Sequence, residues 1–311
     1  MLLGILAGLA TCALWGLTFI APRAVEPFTA WDLAAARYGV FGLVSLMLMA
    51  HPRFRPRGLS RAQIACGLSL GGIGYVGYFV STAYAVRLAG AAIPPVVIGT
   101  MPVLLALAGN WRDRSIPWSN LAAPLLLITA GVLTVNLGVL GASVPGEQGA
   151  IMAGTFFAVL ALVIWIAYGL ANAAVMSSRN APDGLAWTGV QGVGSAIVSL
   201  LLLPLTSLGE ADGFSQAETA RFLGWALVMG LAGSWLATWC WVIASRRLAL
   251  AFAAQLIVAE TMFGLVYGFL FEARWPRPAE WTGCMLQLAG VGLAVAVFSG
   301  QARRTRRQTA R

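Results

Sequence analysis

Apolar runs of about twenty residues follow one another along this chain, near 2–21, 30–50, 62–86, 92–111, 118–137, 149–172, 185–205, 220–245, 250–271 and 280–300. About 20 such residues cross the hydrocarbon of a bilayer as a helix. A lipid-embedded segment that satisfies its own backbone has to be helical. The pattern therefore predicts an all-α integral membrane protein of ten transmembrane helices. Composition closes off the alternative. The chain is 59% hydrophobic and only 10% charged, whereas a soluble domain carries about 25% charged residues. The first run lacks a basic leader, so it is expected to be a retained span rather than a cleaved signal. Cys12, Cys66, Cys240 and Cys284 sit in apolar runs without CxxC spacing, which predicts packed thiols and no metal site.

All 20 basic residues are Arg, and Lys is absent. A basic chain suggests nucleic acid only when the charge covers the face of a folded domain. Here the arginines sit between spans, so the partner they imply is the lipid bilayer and not nucleic acid. Their asymmetry sets orientation. With the N-terminus inside, fourteen arginines fall in cytoplasmic segments, five on the opposite side, and Arg37 lies within a span. Glu26, Asp32, Glu147, Glu210, Asp212, Glu218, Glu272 and Glu280 fall outside. Both termini are expected in the cytoplasm, and the tail 301–311, with RRTRR, at the anionic inner leaflet. Trp31, Trp111, Trp118, Trp187, Trp275 and Trp281 stand at span ends, where an amphipathic ring favours the interface.

The second half echoes the first. GLATCALW (8–15) matches FAVLALVIW (157–165), FGLVSL (41–46) matches SAIVSL (195–200), VRLAGAA (86–92) matches RRLALAF (246–252), and ITAGVL (128–133) matches QLAGVGL (287–293). Five spans per copy is an odd number, so the copies must run oppositely through the membrane. The expected units are residues 1–140, 149–300 and the basic tail. Inverted repeats of this kind build secondary transporters, with the binding site near mid-membrane between the halves and beside broken helices. The fourth run carries such breakers, Pro94, Pro95 and Pro102, each removing a backbone donor.

On these features the chain resembles the drug/metabolite transporter superfamily, EamA type, over its whole length. The resemblance is carried by Trp15 and Trp165 in the first span of each repeat, Arg37 in AAARYGVFGL, Glu260 where the family often has Glu-Pro, Glu272, and WTGCMLQLAGVGL as the final helix. Thr261 stands where Pro is usual, and Arg112 replaces the Glu of the first repeat. VIWIAYGLANAAV (163–175) is similar to the equivalent helix of bacterial aromatic amino acid exporters. The resemblance implies a multi-pass protein of the bacterial inner membrane that exports small metabolites.

Glu260 is an acid within the otherwise uncharged run 250–271. A charge at mid-membrane costs about 2.5–3.5 kcal/mol on insertion scales. Two readings stand: a cavity carboxylate that binds an amino group or a proton, or a neutral acid bonded to a neighbouring backbone at a packing site. Expected to line the substrate site with Glu260 are the deep aromatics Trp15, Tyr78, Trp165, Tyr168 and Trp239, and the polar residues Thr100 and Gln255. Arg37 and Gln191 are expected behind them; Asp32, Glu26 or the cavity could receive Arg37, and a structural ion pair or a snorkelling guanidinium is expected over a substrate clamp. GIGYVG (72–77) and GLSLG (67–71) imitate nucleotide-binding and hydrolase motifs, but neither follows a strand, and both read as small residues for close helix contact. His51 lies in a loop.

The function expected is secondary transport by alternating access, exporting amino acids (aromatic or other neutral ones) or similar small metabolites. Drugs, sugars and nucleosides are alternative cargoes. A membrane-embedded enzyme would need catalytic His, Asp or Ser at one depth, and none cluster. No nucleotide-binding motif, cofactor or metal site is expected; protons are the candidate coupling ion, and the protein is expected to be a monomer.

Overall fold

Hydrocarbon offers a backbone no partners, and the chain answers with helices almost throughout. A computed structural model describes residues 2–113, 117–176, 178–248 and 250–309. Within those ranges the side chains of residues 102, 105, 106, 109, 112, 113, 210–212, 246, 250–258, 298, 299 and 301–309 fall outside the description. No strand occurs among the described residues. The helices are α1 (Leu2–Gly16), α2 (Ala30–Met49), α3 (Arg61–Ala89), α4 (Ile93–Ile98), α5 (Met101–Asp113) and α6 (Trp118–Gly141). They continue as α7 (Gln148–Met176), α8 (Gly184–Leu202), α9 (Gln216–Ser245), α10 (Leu250–Phe271) and α11 (Pro278–Thr309).

Eight spans among the described residues are long and apolar enough to cross a bilayer. They coincide with eight of the ten apolar runs. The run 250–271 is helical throughout as α10, and its described side chains form the apolar stretch Ala259–Phe271. The run 92–111 is not one rod. It breaks at Gly99–Thr100 into α4 and α5. Pro102 has no N–H to return to Ile98, and the chain turns there instead, with Thr100 N donating to Val97 O at 3.2 Å. The carbonyl of Val96 is thereby released, and the Gln287 amide takes it at 2.7 Å.

Short polar residues start the helices where they leave the membrane surface. Thr29 and Asp32 form a reciprocal capping box on α2, and Ser60 with Gln63 does the same on α3. Ser215 with Glu218 repeats it on α9, and Asp183 caps α8. Such a box satisfies two orphan N–H groups at once.

The principal packing partners cross between the halves of the chain. α2 lies on α8, α6 on α11, and α3 on α7; α1 packs on both α9 and α10. Glycines permit the close approach. A Cβ on Gly71 would sit 1.8 Å from the Gln191 carbonyl oxygen, and one on Gly194 would sit 2.1 Å from that of Leu68. Between α6 and α11, Gly131 and Gly283 each face the other's carbonyl, where a Cβ would come within 2.6 Å. Lipid provides no hydrophobic drive between helices, so van der Waals contact of this closeness supplies much of the association. Two helices widen into π geometry at comparable depths in the two halves, α3 over Leu70–Gly77 and α9 over Val228–Leu236.

The aromatic belt is partly as expected. Trp275 is 87% exposed, Trp111 76%, and Trp118 and Trp281 about half. Trp187 departs from expectation. It is buried, because its indole N–H finds an acceptor inside the bundle, the Asn172 side-chain oxygen at 2.7 Å.

Candidate functional site

Glu260 and Thr261 on α10, Trp165 on α7, Phe19 just beyond α1, and Ile98, Gly99 and Met101 at the α4–α5 break line one cavity of about 20 Å³. That volume holds about one water molecule. The hollow is therefore water-sized rather than substrate-sized. Glu260 is half-buried and is the charged member of the lining. Among the described residues, no hydrogen bond or ion pair engages its carboxylate. Thr261, where the resemblance leads one to expect Pro, is buried and lies so near Gly99 that a Cβ there would meet its hydroxyl at 2.3 Å.

Aromatic rings extend from this cavity toward α8. Tyr78 stacks on Trp165 with centroids 4.6 Å apart, and Trp165 lies parallel to Tyr168 at 4.7 Å. Tyr168 meets Tyr75 at 5.1 Å. The ladder follows from helix geometry: Tyr75 and Tyr78 on α3, and Trp165 and Tyr168 on α7, are i,i+3 pairs that each present two rings to one face. Its far end is polar. The Gln191 oxygen accepts from Tyr75 at 2.6 Å and Tyr168 at 3.0 Å, and the Gln191 amide donates to Asn172 at 3.0 Å. Tyr38 closes the cluster by donating to the Tyr75 carbonyl at 2.8 Å. Phenols and an indole buried in this way need such partners.

Arg37 differs from expectation. Its side chain is buried, and no carboxylate lies in ion-pair range among the described residues. The guanidinium rests over the Phe79 ring at 4.6 Å and the Tyr38 ring at 5.1 Å. Its polar contacts are long: Ser234 at 3.4 Å, the Gly233 carbonyl at 3.4 Å and Thr18 at 3.5 Å. Asp32, the expected partner, is engaged elsewhere, accepting from the Ser207 amide and hydroxyl at 2.7 Å each and from Thr29. Capping at the helix start outcompetes an ion pair further along α2.

The remaining sequence-predicted residues divide. Tyr78, Trp165 and Tyr168 join the ring ladder, with Trp165 on the cavity, and Gln191 stands behind it. Thr100 sits at the α4–α5 break beside two lining residues, its hydroxyl turned back to the Val97 carbonyl at 2.7 Å. Trp15 packs instead against Trp241 at 6.0 Å, and Trp239 is 38% exposed and faces Phe54 at 6.3 Å. The Gln255 side chain lies outside the described residues. Tyr75, Asn172 and Phe19 enter as additions. Tyr75 carries a legible signal in its spacing from Tyr78, and Asn172 in its i+4 spacing from Tyr168. Phe19 carries none, being one apolar residue among many.

At the outer end, Glu272 links three segments. It pairs with Arg23, accepts from the Ala91 amide at 3.2 Å, and pairs with Arg274 at 2.6 Å. Arg274 also grips Glu280 at 2.7 and 2.8 Å. The hydrogen bonds to Glu280, and then those to Glu272, hold the Arg274 guanidinium above its ordinary range.

A multi-pass helical bundle whose halves interleave around a small centre of one acid and stacked rings has the build of a membrane transporter. Residues 2–137 match the model of the EamA-like transporter family. The inner membrane protein YtfF of Escherichia coli (strain K12) is 30% identical over 313 residues, covering 95% of each chain. The chain belongs to the EamA-like transporter family: it is a multi-pass inner-membrane protein of the drug/metabolite transporter superfamily, a transporter rather than an enzyme. A crystal structure of a protein 20% identical to it superposes with a TM-score of 0.59 over 97% of this chain and 98% of that one. That likeness establishes a common fold alone.

Proposed function

We propose that the protein exports amino acids, aromatic or other neutral ones, across the inner membrane as a monomeric secondary transporter. Two inverted five-helix repeats, residues 1–140 and 149–300, rock against each other around the Glu260 cavity, with both termini and the basic tail in the cytoplasm. The observation that carries this reading is Glu260 itself. An acid kept at mid-membrane, facing a cavity and left without a partner among the described residues, is costly unless something binds it. An ammonium group or a proton fits that role, and the ring ladder beside it offers an apolar wall for a side chain.

Helix pairing supports the repeats. If spans one to five exchange with six to ten, the α2–α8 and α6–α11 contacts map onto themselves and α3–α7 maps onto α1–α9. The two π segments exchange likewise. Gly4 and Gly154 also correspond, the first facing Arg247 and Leu248 and the second Leu88 and Ala89. The water-sized hollow is then the occluded midpoint of the cycle, with Glu272 bridging α10 and the ends of α1 and α3 on the outer side.

The test is efflux of labelled amino acids from loaded proteoliposomes, with and without a pH gradient, for the wild type and Glu260→Gln. The wild type is expected to release amino acid and to respond to the gradient, and the variant to lose the response. Equal transport and an equal pH response in both proteins would discard the carboxylate role. Movement of another solute class with no amino acid efflux would discard the cargo.

A further inference from the structure

We propose that Arg37 receives the carboxylate of the transported amino acid, so that Arg37 and Glu260 together select zwitterions over simple amines. The inference rests on the amino acid reading above and assigns a specificity role to a residue that sequence alone placed behind the site.

Arg37 is 6% exposed, within a helix long and apolar enough to cross a membrane. A guanidinium there requires an anion or a full set of acceptors. It has neither among the described residues. It offers five N–H donors, and its three polar contacts are all at 3.4–3.5 Å, near the outer limit for a hydrogen bond. The carboxylates that could have served are committed. Asp32 is held by Ser207 and Thr29, Glu272 and Glu280 by arginines, Glu218 by Ser215, and Asp183 by the start of α8. Glu26 is exposed in the connection after α1, and Glu147 accepts from the loop amide of Val144. Glu260, within α10, likewise has no hydrogen bond or ion pair to its carboxylate among the described residues.

The two charges connect through neighbouring residues of one short segment. Arg37 reaches Thr18, and the next residue, Phe19, lines the Glu260 cavity. Phe19 in turn packs so tightly on Gly264 that a Cβ there would meet its ring at 2.4 Å; Gly264 is one helical turn beyond Glu260. Trp165, stacked on Tyr78, lines the Glu260 cavity. An α-amino acid carries its carboxylate and ammonium on one carbon. Entering where Phe19 now stands, it would present the carboxylate to Arg37, the ammonium to Glu260 and its side chain to the rings. The planar guanidinium suits a carboxylate in particular, since two parallel N–H groups match its two oxygens.

The experiment is competition against labelled L-phenylalanine bound to the purified full-length protein, using unlabelled L-phenylalanine, phenethylamine and 3-phenylpropionate. Removing one charge-assisted hydrogen bond should weaken binding about 10- to 100-fold. The wild type is expected to prefer phenylalanine over phenethylamine by at least about tenfold. In Arg37→Gln that preference should fall to about one, and Arg37→Lys, which keeps the cation, should restore part of it. Glu260→Gln should leave phenylpropionate binding intact while weakening phenylalanine. Phenethylamine competing as well as phenylalanine in the wild type overturns the proposal without any variant, which covers an Arg37→Gln protein that does not fold. An Arg37→Gln protein that keeps the wild-type preference overturns it too. Amino acid binding combined with either result defeats the Arg37 role alone, whereas a wild type that binds no phenylalanine and transports no amino acid defeats both readings.

Discussion

Asn172 holds two buried donors from α8, and its replacement by Leu measures what that junction contributes. Its side-chain oxygen accepts from Trp187 at 2.7 Å and from Gln191 at 3.0 Å. Those residues are 3% and 1% exposed. Leu preserves most of the volume and removes the acceptor, stranding both N–H groups. In soluble proteins each stranded donor costs about 1–3 kcal/mol, so the pair sets a ceiling of about 6 kcal/mol. Hydrogen bonds between membrane helices average about 0.6 kcal/mol, because the unfolded helices also find partners in the membrane; two such bonds set a floor of about 1 kcal/mol. Near-complete burial of both donors places the expected cost between these limits, at about 1–3 kcal/mol. The assay is reversible unfolding in mixed detergent micelles followed by circular dichroism, run as a double-mutant cycle with Trp187→Phe. That substitution keeps a ring and deletes the indole N–H, so Asn172→Leu should cost about 1 kcal/mol less in its background. A coupling within about 0.3 kcal/mol of zero, the range of independent sites, would refute the assignment of Trp187 to the bundle interior.

Other outcomes follow from the same geometry. Gly71→Ala forces a methyl to 1.8 Å from the Gln191 carbonyl, so α3 and α8 must part, and folded yield in detergent should fall sharply; Gly39→Ala meets nothing within 4 Å and should be neutral or stabilising by up to about 1 kcal/mol through helix propensity. Thermal melts of the two variants decide this. The proposed opposed repeats would place the connection after the fifth span outside and the one after the sixth inside, so Val144→Cys should react with a membrane-impermeant maleimide in intact cells and Ser178→Cys only after lysis. Labelling of both from one side would remove the inverted arrangement.

How far the site could be read from sequence depended on the kind of signal each residue carries. Glu260 stands out because a charge in hydrocarbon is rare on energetic grounds, and it lines a small cavity with Trp165. Trp165 and Tyr168 were legible as aromatics one turn apart. Trp15 and Trp239 carried the same apparent signal and lie elsewhere, against Trp241 and Phe54. A helical aromatic has one direction out of a full turn, and composition does not say which neighbour that direction meets. The ion pair expected between Arg37 and Asp32 is absent for a related reason. Asp32 is close to it in sequence, but a carboxylate three residues into a helix start satisfies the orphan N–H groups there before it can serve as a distant counter-ion.

Hydropathy alone determined that this chain is helical, membrane-embedded and crossed many times, because the bilayer imposes a length and a backbone requirement on any segment that enters it. The arginine bias and the proline-rich fourth run were likewise local facts, and the break at Gly99–Thr100 followed from the missing proline donor. Packing across the two halves decided everything else: that Gly71 and Gly131 are approach points, that Trp187 turns inward to Asn172, that Glu260 lines a small hollow, and that Arg37 rests over the Phe79 and Tyr38 rings instead of pairing with Asp32. Such outcomes depend on which helix lies against which. In lipid that choice is made by shape and by the pairing of a few polar groups, neither of which any single span contains.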